Sequence, residues 1–442
     1  MTQHDESKRR SVRTALCCIV ACLLLSLACA HALANRQQQD QSTTPPAQTS
    51  APTQEQPSAA PQEQPTTPPQ EQQQPANRAF RFAYGGNAAQ VPAEFVDHLV
   101  FIPLRINNSK PSMFELDTTA ANTSIDPDRL ASLGASPFPK PILNLNGLDF
   151  TLTALPAIAK PDFAEQVGRP YHGTLGADFL CCVVVEIDYK RQTVQLYDPS
   201  VYKYSGKGKG ISFTIRSGAP VVRAKFALSG TKFTEGDFVV DTALNATVVF
   251  TDRYAQSHGL FAKKLKTIAN TDPELNGGEG VVIGHMQYFQ FGPYYAENLL
   301  AAFSQKDVVS VADPKLAGII GGGLLRRFTV IFDYPRQQIY LEGNYRLHEE
   351  EQEDKSGLTV IAKGSNLKTF EVVAVQPGTP GHSAGFQKGD IIEGIDEDAA
   401  IDMNLDSIRQ LFRQGGAQYK IQITRNGQAK QLTLRLRPLL LT

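Results

Sequence analysis

Apolar and β-branched residues occur in short runs from about residue 79 to residue 345, and Gly, Pro and Asn separate the runs. Runs of this length between turn residues are typical of β-strands, and the clearest lie at 99–106, 183–187, 194–197 and 329–332. Two helices are predicted among them, at 127–133 and 252–258, each followed by a glycine. The pattern indicates an all-β core with few helices.

The strand pattern of this core occurs twice. Residues 114–120 and 238–243 are each an apolar strand that leads into Asp-Thr and a small residue. Residues 173–180 and 318–325 form a second matching pair, and each reaches an Asp-Tyr dipeptide after the same interval. Strand, loop and helix therefore follow in the same order in both halves. We infer a duplicated unit that carries one Asp-Thr aspartate per copy, with lobes at 79–204 and 205–346.

The last part of the chain, 347–442, has a different pattern. An acidic stretch precedes two predicted strands, and a helix precedes two final strands around Asn426-Gly427. The apolar face of that helix consists of Leu405, Ile408, Leu411 and Phe412. Strands and one helix in about ninety residues are within the usual size of a domain. We predict a separate small α+β domain.

The first 34 residues have the order of a secretory signal, with basic residues, an apolar run and Ala-x-Ala sites. Cleavage after Ala34 is expected, and an uncleaved anchor helix or lipid attachment at Cys29 are the alternatives. Residues 35–78 are rich in Gln, Pro, Thr and Ser, so we expect a disordered linker. The chain is therefore expected to be exported to a periplasm or cell surface. Only its N-terminal segment could tether it to a membrane.

Composition narrows the possible functions. The formal net charge of the 442 residues is −1, which gives no general basic surface for nucleic acid. Of the 6 cysteines, only the adjacent Cys181 and Cys182 follow the signal, and neighbours rarely form a relaxed disulfide. Export without disulfides favours a bacterial envelope. The 8 histidines lack zinc-site spacing, and the sequence has no Gly-x-Ser-x-Gly motif or P-loop, so neither metal nor cofactor is expected.

The two Asp-Thr sequences suggest a carboxylate pair, Asp117 and Asp241. Two carboxylates within hydrogen-bond distance share one proton, so that one serves as base and the other as acid. A water molecule held between them can attack a peptide carbonyl. Thr118 and Thr242 are expected to bond across the two turns and hold the carboxylates in place. The alternative is that each aspartate only caps a loop at a strand end.

Residues 95–341 resemble an aspartic protease of the retropepsin type, with both lobes in one chain. The resemblance rests on the two Asp-Thr-small sequences and on two copies of a hydrophobic-hydrophobic-Gly element, which end at Gly176 and Gly321. It implies a catalytic pair, Asp117 and Asp241, and the supporting residues Thr118, Thr242, Gly176 and Gly321.

Two positions depart from that family, which has glycine after each Asp-Thr. Ala243 adds one methyl group. Thr119 is β-branched and costly at positive φ, so distortion is expected in the first turn. A substrate flap is expected between each aspartate and its Gly element. The candidates are residues 276–281 in the second lobe, with an ordinary hairpin as the alternative, and residues 139–148 in the first.

The C-terminal domain resembles a bacterial PDZ domain. The matching residues are Pro-Gly-Thr-Pro at 377–380, Ala-Gly-Phe at 384–386 and Lys-Gly-Asp-Ile-Ile at 388–392. PDZ domains add an extended chain end to a sheet edge and capture its terminal carboxylate with backbone amides. The resemblance implies a peptide-binding groove with two residues in the carboxylate loop and two on the neighbouring helix: Gly357, Leu358, Leu405 and Ile408.

The expected fold class is mainly β: a duplicated, two-lobe, acid-protease-like β barrel and a small α+β PDZ-like domain after a signal segment and linker. The expected function is an exported aspartic endopeptidase, whose partners are polypeptide substrates and protein C-termini and no nucleic acid. The alternative is a catalytically degenerate pair of lobes that binds peptide as a scaffold. Thr119 favours the scaffold, and the intact strand context of Asp241 favours the enzyme.

Overall fold

Residues 79–134, 140–263, 265–269, 280–305 and 313–439 are described by the structure, which is a computed structural model. The predicted signal segment, the linker, Cys29 and most of the flap candidate 276–281 lie outside these residues. No helix in the described ranges is long and apolar enough to cross a membrane.

The first lobe is a barrel-like β-sheet with three short helices. Its strands are β1 Phe80–Phe82, β2 Ala88–Val91, β3 Glu94–Val96, β4 Leu99–Ile106, β5 Ser112–Leu116, β6 Ser124–Ile125, β7 Ile142–Asn144, β8 Leu148–Thr151, β9 Gly173–Leu175, β10 Val184–Asp188 and β11 Thr193–Tyr197. Its helices are α1 Pro127–Ser132, α2 Phe163–Val167 and α3 Ala177–Leu180. Eight strands form the sheet, in the order β1-β8-β7-β4-β5-β9-β6 with β3 beside β4.

The second lobe repeats this plan with longer strands. They are β12 Lys209–Ser212, β13 Thr214–Arg216, β14 Ala219–Ala227, β15 Thr234–Val240, β16 Val248–Phe250, β17 Thr267–Ala269, β18 Val281–Phe291, β19 Tyr294–Ser304, β20 Gly318–Ile320, β21 Phe328–Asp333 and β22 Gln338–Gly343. Its helices are α4 Asp252–Ser257 and α5 Gly322–Leu325. The sheet order is β13-β14-β15-β20-β16-β19-β18-β17, and an additional β14–β18 pairing curls the sheet on itself.

A third sheet joins the two lobes. Its order is β12-β22-β21-β10-β11-β2, so that each lobe supplies three strands. The central strands β10 and β21 are antiparallel, with Val184 opposite Asp333 and Asp188 opposite Thr329. Buried residues from both lobes belong to one continuous hydrophobic cluster. The lobes are therefore halves of one core and are fixed relative to each other.

The C-terminal domain has its own hydrophobic core. Its strands are β23 Leu358–Lys363, β24 Thr369–Val375, β25 Ile391–Ile395, β26 Asp398–Ala399, β27 Gln418–Arg425 and β28 Gln428–Arg435, and its helices are α6 Pro380–Ser383 and α7 Leu405–Phe412. The sheet order is β23-β24-β25-β27-β28, with β26 beside β25, so β23 is an edge strand.

Short 3-10 helices occur in all three parts of the described chain, at Ala83–Gly85, Leu260–Lys263, Tyr334–Arg336 and Ala400–Asp402.

The predicted elements of the core are confirmed. The four strands named from the sequence match β4, β10, β11 and β21, with ends that differ by one residue at most. Both predicted helices are present because a side chain caps each N-terminus: Asp126 accepts hydrogen bonds from the first turn of α1, and Thr251 from that of α4. The mainly β, two-lobe fold class with a separate C-terminal domain is confirmed.

The flap predicted at 139–148 is wrong for the first lobe. Its described residues belong to the β7–β8 hairpin, which lies within the sheet because β7 pairs with β4 and β8 pairs with β1. Leu143 and Leu148 have 0% exposure and belong to the hydrophobic cluster shared by the two lobes. A hairpin that supplies core residues cannot lift over a cleft.

Candidate active site between the lobes

Asp117 and Asp241 lie at equivalent strand ends. β5 pairs in parallel with β9, and β15 pairs in parallel with β20. Each aspartate extends the parallel strand pairing by one hydrogen bond. The Asp117 amide donates to the Leu175 carbonyl at 3.0 Å, and the Asp241 amide donates to the Ile320 carbonyl at 2.8 Å. The duplicated sequence thus produces duplicated geometry.

Thr118 and Thr242 connect the two turns with four reciprocal hydrogen bonds. The Thr118 hydroxyl donates to the Val240 carbonyl at 2.7 Å, and the Thr242 hydroxyl donates to the Leu116 carbonyl at 2.6 Å. Each hydroxyl also accepts a bond from the other threonine's amide, at 3.1 and 3.2 Å. Both threonines are fully buried. The two strand ends that carry Asp117 and Asp241 are therefore held side by side.

Because Gly176 and Gly321 have no side chain, the loop that follows each aspartate can lie directly against the backbone of these glycines. Their backbone conformations match, with φ of −104° and −106°. A Cβ atom at Gly176 would lie 2.6 Å from the carbonyl carbon of Asn122, and one at Gly321 would lie 2.2 Å from the Ala246 oxygen. Contacts this short are not seen for real side chains, so glycine is required at both positions. The close approach braces each aspartate turn.

Thr119 does not distort the first turn, contrary to the expectation from sequence. Neither Thr119 nor Ala243, both described, is among the residues with positive φ. The Thr119 hydroxyl instead donates to Asp117 Oδ1 at 2.7 Å, beside amide bonds from Thr119 and Ala120 at 2.7 and 3.0 Å. In the second turn the Ala243 amide donates to Asp241 Oδ1 at 2.8 Å. Thr119 therefore adds a donor to Asp117 that the second turn does not have.

The surroundings of Asp241 favour its protonated form. Burial, and then the charge of nearby Asp117, raise the pKa of Asp241 well above its usual value, and the Ala243 amide only partly opposes them. Two tyrosines with buried hydroxyl groups lie near the aspartates. The hydroxyls of Tyr189 and Tyr334 are buried without a hydrogen-bond partner in the described part of the chain. Burial raises the pKa of each, and the charge of Asp241 adds to this for Tyr189.

Lys160 is a site residue that the sequence did not reveal. Its Nζ lies 2.6 Å from Glu115 Oε2 and 3.8 Å from Asp117 Oδ2, and its side chain is 33% exposed. Burial opposes its charge, but the Glu115 and Asp117 carboxylates outweigh burial and raise the Lys160 pKa. Burial raises the pKa of Glu115 to about 7, although Lys160 acts in the opposite direction. Lys160 lies in an irregular stretch without a motif, and the charged residue inside an apolar strand, Glu115, was the available signal.

The predicted peptide-binding residues of the C-terminal domain lie together but are buried. Leu358, Leu405 and Ile408 have exposures of 6%, 1% and 0% and belong to the domain core. The amides of Ser356 and Gly357 each donate to Asp354 Oδ1 at 2.8 Å. The loop expected to capture a carboxylate thus holds one from its own chain.

Among the described residues, no group of three or more His, Cys, Asp or Glu could hold a metal ion. The expectation that the protein binds no metal and no cofactor stays a prediction.

Comparison with known proteins identifies the C-terminal domain. A family model of the PDZ domain matches residues 371–425, which confirms the predicted PDZ domain. The chain is also similar to the crystal structure of an aspartic proteinase from Irpex lacteus, with a TM-score of 0.38 and 11% identity over 58% of this chain and 98% of that chain. A likeness of this size carries no argument. No curated protein matches the chain.

The cross-lobe threonine bonds lead to a stability prediction. Thr118→Val keeps the side-chain shape but leaves the Val240 carbonyl and the Thr242 amide buried without their partner. We expect the free energy of unfolding in urea to fall by about 1–3 kcal/mol. The matched control is Thr214→Val at an exposed strand position, which should change stability by less than about 0.5 kcal/mol. Equal stability of the two variants would contradict the structural role of these bonds.

Proposed function

We propose that the site between the lobes hydrolyses peptide bonds as an aspartic endopeptidase, with Asp117 and Asp241 as the catalytic pair. The reciprocal bonding of Thr118 and Thr242 is the observation that carries the proposal. It holds side by side two strand ends from distant parts of the chain, each of which carries a carboxylate. The raised pKa of Asp241 is what a pair that shares one proton requires.

The proposed reaction gives the two carboxyl groups different tasks. Asp117 is the base: it takes a proton from a water molecule while the water oxygen attacks the peptide carbonyl carbon. Asp241 is the acid: it donates its proton to the carbonyl oxygen, so that a neutral tetrahedral diol forms. Collapse of the diol breaks the C–N bond. The amine leaves with the proton that Asp117 received, and a diol hydroxyl returns a proton to Asp241.

The hydrogen bonds of Asp117 fit this task. All three of its short bonds converge on Oδ1, which leaves Oδ2 as the oxygen that would accept the proton of the water molecule. Donors aimed at a carboxylate stabilise its ionised form, which a base needs. Gly176 and Gly321 would act as supporting residues that hold the two loops close behind the pair.

Lys160 favours a second candidate function, a peptide-binding scaffold that does not catalyse hydrolysis. Its ammonium group lies 3.8 Å from Asp117 Oδ2, the oxygen that the reaction requires. An ion pair there competes with the water molecule and holds the carboxylate in place. In both candidates the PDZ domain binds polypeptide ends, because that is the general mode of PDZ domains. Export to a bacterial envelope is part of the proposal in either case.

Substitution of the aspartates separates the two candidates. Asp117→Asn and Asp241→Asn should each reduce the hydrolysis of fluorescein-labelled unfolded casein by about 10²–10⁴-fold, because each removes a proton-transfer group. The assay covers acidic to neutral pH. Asp398→Asn, at an exposed position of the short strand β26, is the control and should retain full activity. The same background rate in all four proteins would leave the scaffold as the function.

The pH dependence of hydrolysis tests the role of Lys160. The reaction needs Asp241 protonated, so the rate is lost as pH rises through the raised pKa of Asp241. Lys160 lowers that pKa. Lys160→Met should therefore shift the alkaline limb of kcat/KM to higher pH, by roughly one unit.

Glu115→Gln is combined with Lys160→Met in a second protein, because it removes the carboxylate that the first variant leaves buried and unpaired. Because the Glu115 charge itself raises the Asp241 pKa, the double variant should place the alkaline limb at lower pH than Lys160→Met alone. An alkaline limb that stays in place in both proteins would show that Lys160 does not act on the pair.

A further inference from the structure

The PDZ groove begins in an open cavity. In PDZ domains the bound chain end lies between an edge strand and a helix, which here are β23 and α7. A cavity of about 780 Å³ opens at this place and is lined by the loop residues Gly357 and Leu358, by Thr359 and Val360 of β23, and by Arg409 and Arg413 of α7. There is room for a short chain end beside the carboxylate loop.

Beyond Val360 the first lobe closes the groove. Arg409 of α7 donates to the Gln166 carbonyl at the end of α2 at 2.7 Å, and the same nitrogen lies 3.5 Å from the Val360 carbonyl of β23. Next to it, a Cβ atom at Gly168 would lie 2.7 Å from Leu405 Cβ. The end of α2 therefore fits against α7 with no space for even one methyl group. A strand residue advances about 3.3 Å, so a chain end longer than the Leu358–Val360 stretch meets α2.

The same segment reaches the aspartate pair. Lys160 precedes α2 by three residues, and its carbonyl accepts a bond from the Phe163 amide at 3.3 Å. The Lys160 ammonium lies 5.0 Å from the centre of the Phe163 ring and 5.6 Å from that of Tyr171. One short piece of chain thus contacts the PDZ groove at Gln166–Gly168 and Asp117 at Lys160.

Of the two elements in contact, α2 has the weaker anchorage. It packs into a small cluster separate from the main core, formed by Val96, Leu99, Phe101, Val167 and Tyr171. The PDZ domain is held by ion pairs from Arg409 and Arg413 to Asp97, at 3.1 and 3.4 Å. A group that is inserted between α2 and α7 is therefore expected to displace α2 and not the PDZ domain.

We infer that α2 couples the PDZ groove to the aspartate pair: a displacement of α2 from α7 also withdraws Lys160 from Asp117. The proposed partner is an extended polypeptide end whose free carboxylate replaces that of Asp354 on the Ser356 and Gly357 amides, and it displaces α2 when it extends past Val360. The effect of this movement on catalysis rests on the proposed function. The movement of Lys160 itself is independent of that function.

Gly168→Ala tests the coupling in the full-length protein, because its methyl group must separate α2 from α7. The primary readout is acetylation of individual lysines by acetic anhydride, followed by mass spectrometry. Labelling of Lys160 should become at least about tenfold faster, since the overpacked contact opens. Labelling of Lys207, which is exposed and lies in the loop before β12, should not change. The matched control is Gly259→Ala, which has a similar positive φ and no atom within 4 Å of the added Cβ.

A second variant covers the case in which Gly168→Ala fails to fold. Arg409→Lys keeps a positive charge near Asp97 but cannot reproduce the guanidinium bond to Gln166, so a smaller rise in Lys160 labelling is expected. Unchanged Lys160 labelling in a folded Gly168→Ala or Arg409→Lys protein overturns the inference, because the PDZ domain would then have moved without α2.

Casein hydrolysis provides the separate test of the catalytic consequence. With both proposals correct, Gly168→Ala changes the rate of hydrolysis and the Gly259→Ala control does not. Faster Lys160 labelling without hydrolysis in any protein supports the coupling and contradicts the endopeptidase. Hydrolysis that depends on Asp117, with Lys160 labelling unchanged in the variants, supports the endopeptidase and overturns the coupling.

Discussion

The four hydrogen bonds that Thr118 and Thr242 make across the two lobes are the constraint on which the site depends. Each lobe alone ends a strand in an aspartate, and a single aspartate at a strand end is a common loop cap. The reciprocal threonine bonds change this, because each hydroxyl both donates to and accepts from the opposite lobe. They can form only if both turns have the same shape. The sheet centred on β10 and β21 then fixes the two turns within a shared core.

Asp117 and Asp241 have different hydrogen-bond donors and different charged neighbours. Asp117 has three donors on one oxygen and a lysine beside the other, whereas Asp241 has one donor and is raised in pKa by burial and by Asp117. Two chemically identical groups therefore lie in different surroundings, and those of Asp241 raise its pKa. The Lys160–Glu115 pair adds a cation at the edge of the site. Whether that cation supports or suppresses hydrolysis depends on whether Lys160 stays in place, and α2 links its position to the PDZ domain.

The features that could be predicted from the sequence are the repeated motifs and the motifs formed by neighbouring residues. The Asp-Thr pairs, the Gly176 and Gly321 elements and the PDZ motifs recur in recognisable form, and the threonine cross-bonds follow from the symmetry of two equal turns. Contacts between distant, unrelated segments were not predictable. Nothing in the sequence connects Gly168 with Leu405, or Lys160 with Asp117, because neither pair belongs to a motif or a periodic pattern. The expected strain at Thr119 was wrong for a different reason: it assumed a positive φ that the turn does not have.

The protonation of the aspartate pair is the most direct test of the account. Carbon-13 NMR of aspartate-labelled protein can follow the carboxyl carbon of Asp241 as pH is raised. The account predicts that Asp241 stays protonated well above its ordinary pKa of 3.8, and that Asp117→Asn lowers the Asp241 pKa by removing the neighbouring charge. Titration of Asp241 near 3.8, unaffected by Asp117→Asn, would show two independent carboxylates and contradict a shared proton.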